Sequence, residues 1–188
     1  MEIAVIGKRT KPLRHELPPI LGSKSEWQFQ SIVVPKKLLR QNRYFAIEVL
    51  PPHQIDRSEF HSLPSDSLAI VAILASSFFP IWVKALSDRS TTSGEESASA
   101  YNNFPFPDLS RTQGKLLEQK ISNVFQARSS CSFNKLSDLY NQDLLPEHLL
   151  MAHEDLDEVL LEIFGLPNDA TNEQILENLI GRYVSFTK

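Results

Sequence analysis

The chain has 188 residues, 41% apolar and 22% charged, with a net charge of −4. That is enough to bury a core in one or two domains, and it is ordinary for a soluble globular protein. No apolar run reaches the roughly 18 residues of a membrane span, and the N-terminus lacks the basic, apolar and small-residue order of a signal peptide. The only cysteine, Cys131, excludes an intrachain disulfide and fits a reducing, cytoplasmic setting.

The net charge hides an asymmetry. Residues 1–45 carry nine Lys and Arg against three Glu, a balance of +6, whereas residues 46–100 sum to −4 and residues 101–188 to −6. A basic front and an acidic rear suit a polyanion contact in front, with the rear toward water or protein. An uneven surface without function is the plainer alternative. So acidic a chain is expected to bind nucleic acid weakly by itself.

In chain order, Ile3 to Ile6 reads as a short strand ended by Gly7, and Lys8 to Leu21 as a basic, proline-rich loop. Trp27 to Val34 begins to alternate and predicts a strand before Pro35. Lys36 to Asn42 follows as a basic turn, then Arg43 to Leu50 as a second strand stopped by Pro51-Pro52. Phe60 to Leu63 reads as a third, short strand. Ser65-Asp66 caps a helix over Leu68 to Leu86, apolar all round and therefore buried, with a kink at Pro80. A buried strand over Leu68 to Leu74 is the alternative; the cap and the length favour a helix. Asp88 to Ala100 reads as a mobile Ser/Thr/Glu loop.

Tyr101-Asn102-Asn103-Phe104-Pro105-Phe106-Pro107 reads as a stiff, extended strap between two unlike halves, because neither proline continues a helix. Beyond it, helical spacing predicts an amphipathic helix over residues 110 to about 128, a short segment around Leu136 to Tyr140, and a helix from Pro146 to a stop at Gly165. A last helix is capped by Thr171.

Candidate chemistry is sparse. Pro107-Asp108 with Glu118 and Lys120 spells a metal-nuclease pattern, but Glu118 and Lys120 sit two apart in mid-helix and point in different directions. His148 and His153, five apart on a helix, share no face for a metal, and Glu147, Glu154 and Asp157 read as a solvated acidic surface. The six glycines never cluster into a turn that could hold S-adenosylmethionine. No catalytic constellation assembles, so the isolated chain is not expected to be an enzyme. For DNA, Lys36, Lys37, Arg40, Arg43 and Tyr44 are the candidates, since arginine forks suit phosphates and guanine edges. Lys8, Arg9 and Lys11 are weaker ones, and a solvated basic turn is the plain alternative.

The Tyr-Asn-Asn-Phe-Pro-Phe-Pro strap resembles that of the MmeI-like restriction–modification enzymes. In this family an endonuclease, an adenine-N6 DNA methyltransferase and a target recognition domain are joined in one chain. The likeness continues through Pro35 to Ile55, through the helix carrying Trp82 with Arg89 after it, and through Leu139-Tyr140, Leu145-Pro146, Ala152-His153, Leu156-Asp157 and Phe164-Gly165. It implies an α+β architecture, with a small β-rich target recognition domain holding one buried helix at residues 1–107 and a mostly helical C-terminal domain at 108–188. It also implies double-stranded DNA as partner, with Arg89 among the contacts and specificity residues between Trp82 and the strap. S-adenosylmethionine would belong to a methyltransferase domain outside this stretch, on the same chain or a separate one. The stretch is thus expected to be a DNA-recognition module of a bacterial enzyme and a fragment or truncated copy. The alternative is a protein–protein docking module that does not read DNA.

Overall fold

The computed structural model of the protein describes residues 30–36, 42–87, 96–132, 136–140 and 145–187. The strand expected at Ile3 to Ile6 and the loop after it lie outside these residues. Strand β1 (Ser31–Pro35) is the middle of a three-stranded antiparallel sheet, between β2 (Glu48–Leu50) and β3 (Phe60–Leu63). Ile32 pairs with Val49 on one side and Leu63 on the other. A central strand is covered on both faces, and Ile32, Val33 and Val34 accordingly have no exposed surface.

The second strand is shorter than its alternation predicts. Over residues 43–47 the chain turns instead, with the Ile47 amide donating to the Phe45 carbonyl at 3.0 Å. A bond from residue i+2 back to i is a tight turn that breaks alternation, so Tyr44, Phe45 and Ile47 all end up buried.

The long apolar helix is two helices, α1 (Leu68–Ala75) and α2 (Phe78–Ser87), bent by 62°. The expected cap is shifted: Ser67 precedes the first turn, and Ser65 Oγ accepts from its amide at 3.2 Å. The expected kink at Pro80 is shifted too. The break falls at Ser76-Ser77, and Pro80 itself sits in the first turn of α2, where no amide partner is needed and proline is tolerated. Ser76 Oγ donates to the Ile73 carbonyl at 2.7 Å and accepts from the Phe78 amide at 3.3 Å, tying both helix ends. No single helix among the described residues is long and apolar enough to cross a membrane, and the bent pair lies in the core.

Part of the expected loop and strap is helical. Helix α3 (Glu96–Asn103) takes in Tyr101, Asn102 and Asn103, and only Phe104 to Pro107 runs on without helix. Ala100 is buried on α2, where Trp82 Nε1 donates to its carbonyl at 3.1 Å. Residues 88–95 lie outside the described residues. The strap is an inner layer of the core: Phe104 packs edge-on against Phe79 and Trp82, and Phe106 against Phe104 and Tyr101.

The remaining helices start and stop where their caps dictate. In α4 (Arg111–Ser129), Ser110 and Gln113 form a reciprocal capping box. Leu136–Leu139 is a single turn, α5. In α6 (Glu147–Phe164), Pro146 is the residue before the helix rather than its first, and Gly165 ends it at φ 71°, a conformation that costs glycine nothing. Thr171 and Gln174 cap α7 (Asn172–Thr187). Helix α1 packs against α4 and α6, and α2 against α3 and α7. Residues before and after the strap therefore share one hydrophobic core. The class is α+β, a small antiparallel sheet followed by helices, as the sequence implied.

Candidate nucleic-acid interface

Lys36 follows β1, and its amide donates to the Glu59 carbonyl at 2.8 Å while Nζ donates to the Arg57 carbonyl at 2.6 Å. That leaves the ammonium two further donors at the rim of the turn before β3. Lys37, Arg40 and Arg89, like Lys8, Arg9 and Lys11, lie outside the described residues.

The side chain of Arg43 is 51% exposed. Its Nη1 donates to Glu154 Oε1 at 2.8 Å, and the guanidinium lies 5.1 Å from the centre of the Tyr44 ring. A guanidinium has five N–H donors, so one carboxylate contact leaves most of the fork unused.

Tyr44 is not on that surface. It is 2% exposed, its ring is stacked on His153 at 4.2 Å, and its hydroxyl donates to Asp157 Oδ2 at 2.9 Å. A phenol used in this way inside the core has no face for a phosphate, which corrects its assignment as a DNA contact. Burial first, and the neighbouring Asp157 carboxylate second, push its pKa far up, so the hydroxyl stays a donor.

Asp157, read from sequence as part of a solvated acidic face, is 7% exposed. Its other oxygen accepts from the Ser77 amide at 2.9 Å, so the carboxylate caps the start of α2. Burial raises its pKa, opposed by the bonds from Ser77 and Tyr44 and by the Arg43 charge. His153 is wholly buried. Arg128 Nε and Nη2 donate to the Tyr140 hydroxyl at 3.2 and 2.6 Å, and this hydroxyl sits 2.9 Å from His153 Nε2. With both Arg128 donors directed at it, the hydroxyl proton goes to Nε2, which assigns the ring proton to Nδ1. Nδ1 has no partner of hydrogen-bond geometry, although the Ala75 carbonyl acts on the ring in favour of a proton. Burial, then the Arg128 charge, push the His153 pKa down to about 3.

Arg128 closes the network by donating from Nη1 to the Ile47 carbonyl at 3.0 Å, with Glu48 at 3.8 Å. Sequence reading missed Arg128, His153 and Asp157 as structural groups. The signal was present: with Leu149, Leu156, Leu160 and Phe164 facing the core, His153 and Asp157 fall on the same stripe of α6. A polar side chain on an apolar stripe requires a buried partner.

The nuclease spelling does not converge, since Glu118 and Lys120 lie on α4 and Lys120 Nζ pairs with Asp155 of α6 at 3.1 Å. Among the described residues, no group of three or more His, Cys, Asp or Glu could hold a metal ion.

Two family models together match residues 10–188. The target recognition domain of MmeI matches residues 10–108, and the C-terminal domain of MmeI matches residues 109–188. The chain is similar to DNA methyltransferase A of Bacillus subtilis (strain 168), 28% identical over 159 residues that make up 84% of this chain and 18% of that protein. Its fold is that of part of a solved structure of the Type IIL restriction-modification enzyme MmeI in complex with DNA. The TM-score is 0.74 at 24% identity, covering 87% of this chain and 22% of the other. The chain thus spans less than a quarter of the length of these relatives. The strap and the C-terminal motifs pointed to this family from sequence, and the chain belongs to it, carrying the target recognition and C-terminal domains of MmeI.

Proposed function

We propose that this chain is the part of an MmeI-like methyltransferase/restriction enzyme that reads double-stranded DNA, with no chemistry of its own. The observation that carries this reading is the target-recognition match over residues 10–108, the segment that also holds the basic front. The MmeI structure in complex with DNA supports DNA as the partner. Lys36, Lys37, Arg40 and Arg43 are proposed to meet the phosphates and groove edges, with Arg89 a further contact; Tyr44 supports Arg43 from within.

Under this reading methyl transfer from S-adenosylmethionine, and cleavage, are supplied by domains on the same or a separate polypeptide. Gly114 lies in α4, Gly165 ends α6 and Gly181 lies in α7, so these three belong to no glycine-rich turn. A reducing, cytoplasmic setting accords with the single thiol.

The test is a gel shift of the purified chain on duplex DNA between about 50 and about 200 mM salt. Binding that weakens steeply with salt is expected. Lys37→Ala with Arg40→Ala is expected to lower the slope of log K against log salt by about 0.9 for each phosphate that is no longer neutralised. Absence of binding at the lowest salt would instead favour a protein-docking module.

A further inference from the structure

The candidate DNA-facing side chain with the best-defined environment, Arg43, is held by residues of the other domain. Its Nη1 is bonded to Glu154 at 2.8 Å and its guanidinium lies over Tyr44. The Tyr44 hydroxyl is bonded to Asp157 at 2.9 Å, and the ring lies at 18° to His153, 4.2 Å away. His153, Glu154 and Asp157 all stand on α6, within two turns, at i, i+1 and i+4. They belong to the C-terminal-domain match, whereas Arg43 and Tyr44 belong to the target-recognition match.

We propose that Glu154 and Asp157 of the C-terminal domain are positioning residues for DNA binding, fixing the direction of the Arg43 fork through a direct ion pair and through the Tyr44 hydroxyl. This rests on the DNA-reading function proposed above. The physical argument is entropic. A free arginine on a turn spends most of its time in rotamers that miss a phosphate, and binding must then order it. Here the backbone at residue 44 is pinned by a buried aromatic side chain, and the neighbouring guanidinium already has one carboxylate and one ring to rest on. The carboxylate, and the groups that hold the ring, Asp157 and His153, come from one helix, α6. Glu154 is exposed at 45% beside a 51% exposed arginine, so the pair contributes little to stability in itself. Its role is directional. The C-terminal domain would thereby act on DNA affinity through these supports without itself touching the duplex at this point.

A double-mutant cycle tests this, reading DNA affinity and thermal stability in the same four chains: parent, Y44F, R43A and the double variant. Y44F keeps the ring and its stack and removes only the hydroxyl. Expected is a loss of DNA affinity of about threefold or more for Y44F in the parent, and no further loss in the R43A background. The stability change caused by Y44F is expected to be the same in both backgrounds. If Y44F weakens DNA binding equally with and without Arg43, or if R43A binds as tightly as the parent, the positioning role is overturned while DNA reading by the chain stands. If the parent binds no DNA, both fall together. Should Y44F not fold, E154Q takes its place. A loss of affinity that vanishes in R43A supports the inference; a gain, or a change that persists in R43A, overturns it.

Discussion

His153 is an imidazole with no exposed surface, stacked on one tyrosine, bonded to another and near two arginines. Its pKa in the fold is about 3, below the ordinary 6.5 of the unfolded chain. A depressed pKa means that the neutral ring is the folded form. The stability that this contributes is complete above pH 6.5 and is lost as the pH falls toward 3. The slope from this one proton is about 1.4 kcal/mol per pH unit inside that window. Asp157 works in the opposite sense. Its raised pKa means that its protonation favours the fold, a contribution present at low pH and lost as pH rises through its folded value. Denaturant melts of the parent and H153F at pH 7 and pH 5 separate the two, because Asp157 acts in both proteins. The parent is expected to lose more stability between the two pH values than the variant; equal losses would show that His153 does not titrate on unfolding. The place of both residues on the apolar stripe of α6 signals burial, but it does not name their partners. Those partners are 113 positions away for Asp157 and 109 for the Tyr44–His153 stack, beyond the reach of any local pattern.

At the scale of elements, local signals held wherever the cause was local. The start of α4 at Ser110, the cap at Thr171 and the glycine stop at Gly165 lie where the sequence puts them, because each is decided by residues within one turn. The α1–α2 break, the short β2 and helix α3 were less legible, because each depends on something distant: the Asp157 carboxylate on the Ser77 amide, the Arg128 fork on the Ile47 carbonyl, the Trp82 indole on the Ala100 carbonyl. The break itself offers a test of which residue fixes it. If proline alone made the bend, P80A would straighten and perturb the pair. With the bend held by Asp157 and the serines, P80A is expected to change stability by less than about 1 kcal/mol, since Pro80 sits where the helix tolerates it. D157A leaves the Tyr44 hydroxyl and the Ser77 amide without their acceptor and is expected to cost about 1–3 kcal/mol. The strap gives a second test. Phe104 is 1% exposed among Phe79, Trp82 and Phe106. F104A is expected to cost about 3–5 kcal/mol in denaturant melts, as a core residue and not as a linker residue.

For the whole molecule, the question is whether the two family segments are two folding units. The boundary between their matches, at residues 108 and 109, falls just after the strap. The packing ignores that boundary. Helix α1 of the first segment lies on α4 and α6 of the second, and α2 lies on α7. The buried polar network crosses it as well, from Arg128, Tyr140, His153 and Asp157 to Tyr44, Ile47 and Ser77. Without the second segment, α1 would expose an apolar surface on nearly every side, and the amide that starts α2 would lose its carboxylate cap. The burial that stabilises either half is therefore burial against the other, which makes the described residues a single cooperative unit. Tryptophan fluorescence and far-UV circular dichroism are expected to report one coincident denaturant transition for the intact chain. Residues 1–107 expressed alone are expected to show no cooperative transition. Two separated transitions, or a cooperatively folding 1–107 piece, would mean that the shared core is an interface between independent domains. The C-terminal helices could then no longer be what holds Arg43 in place.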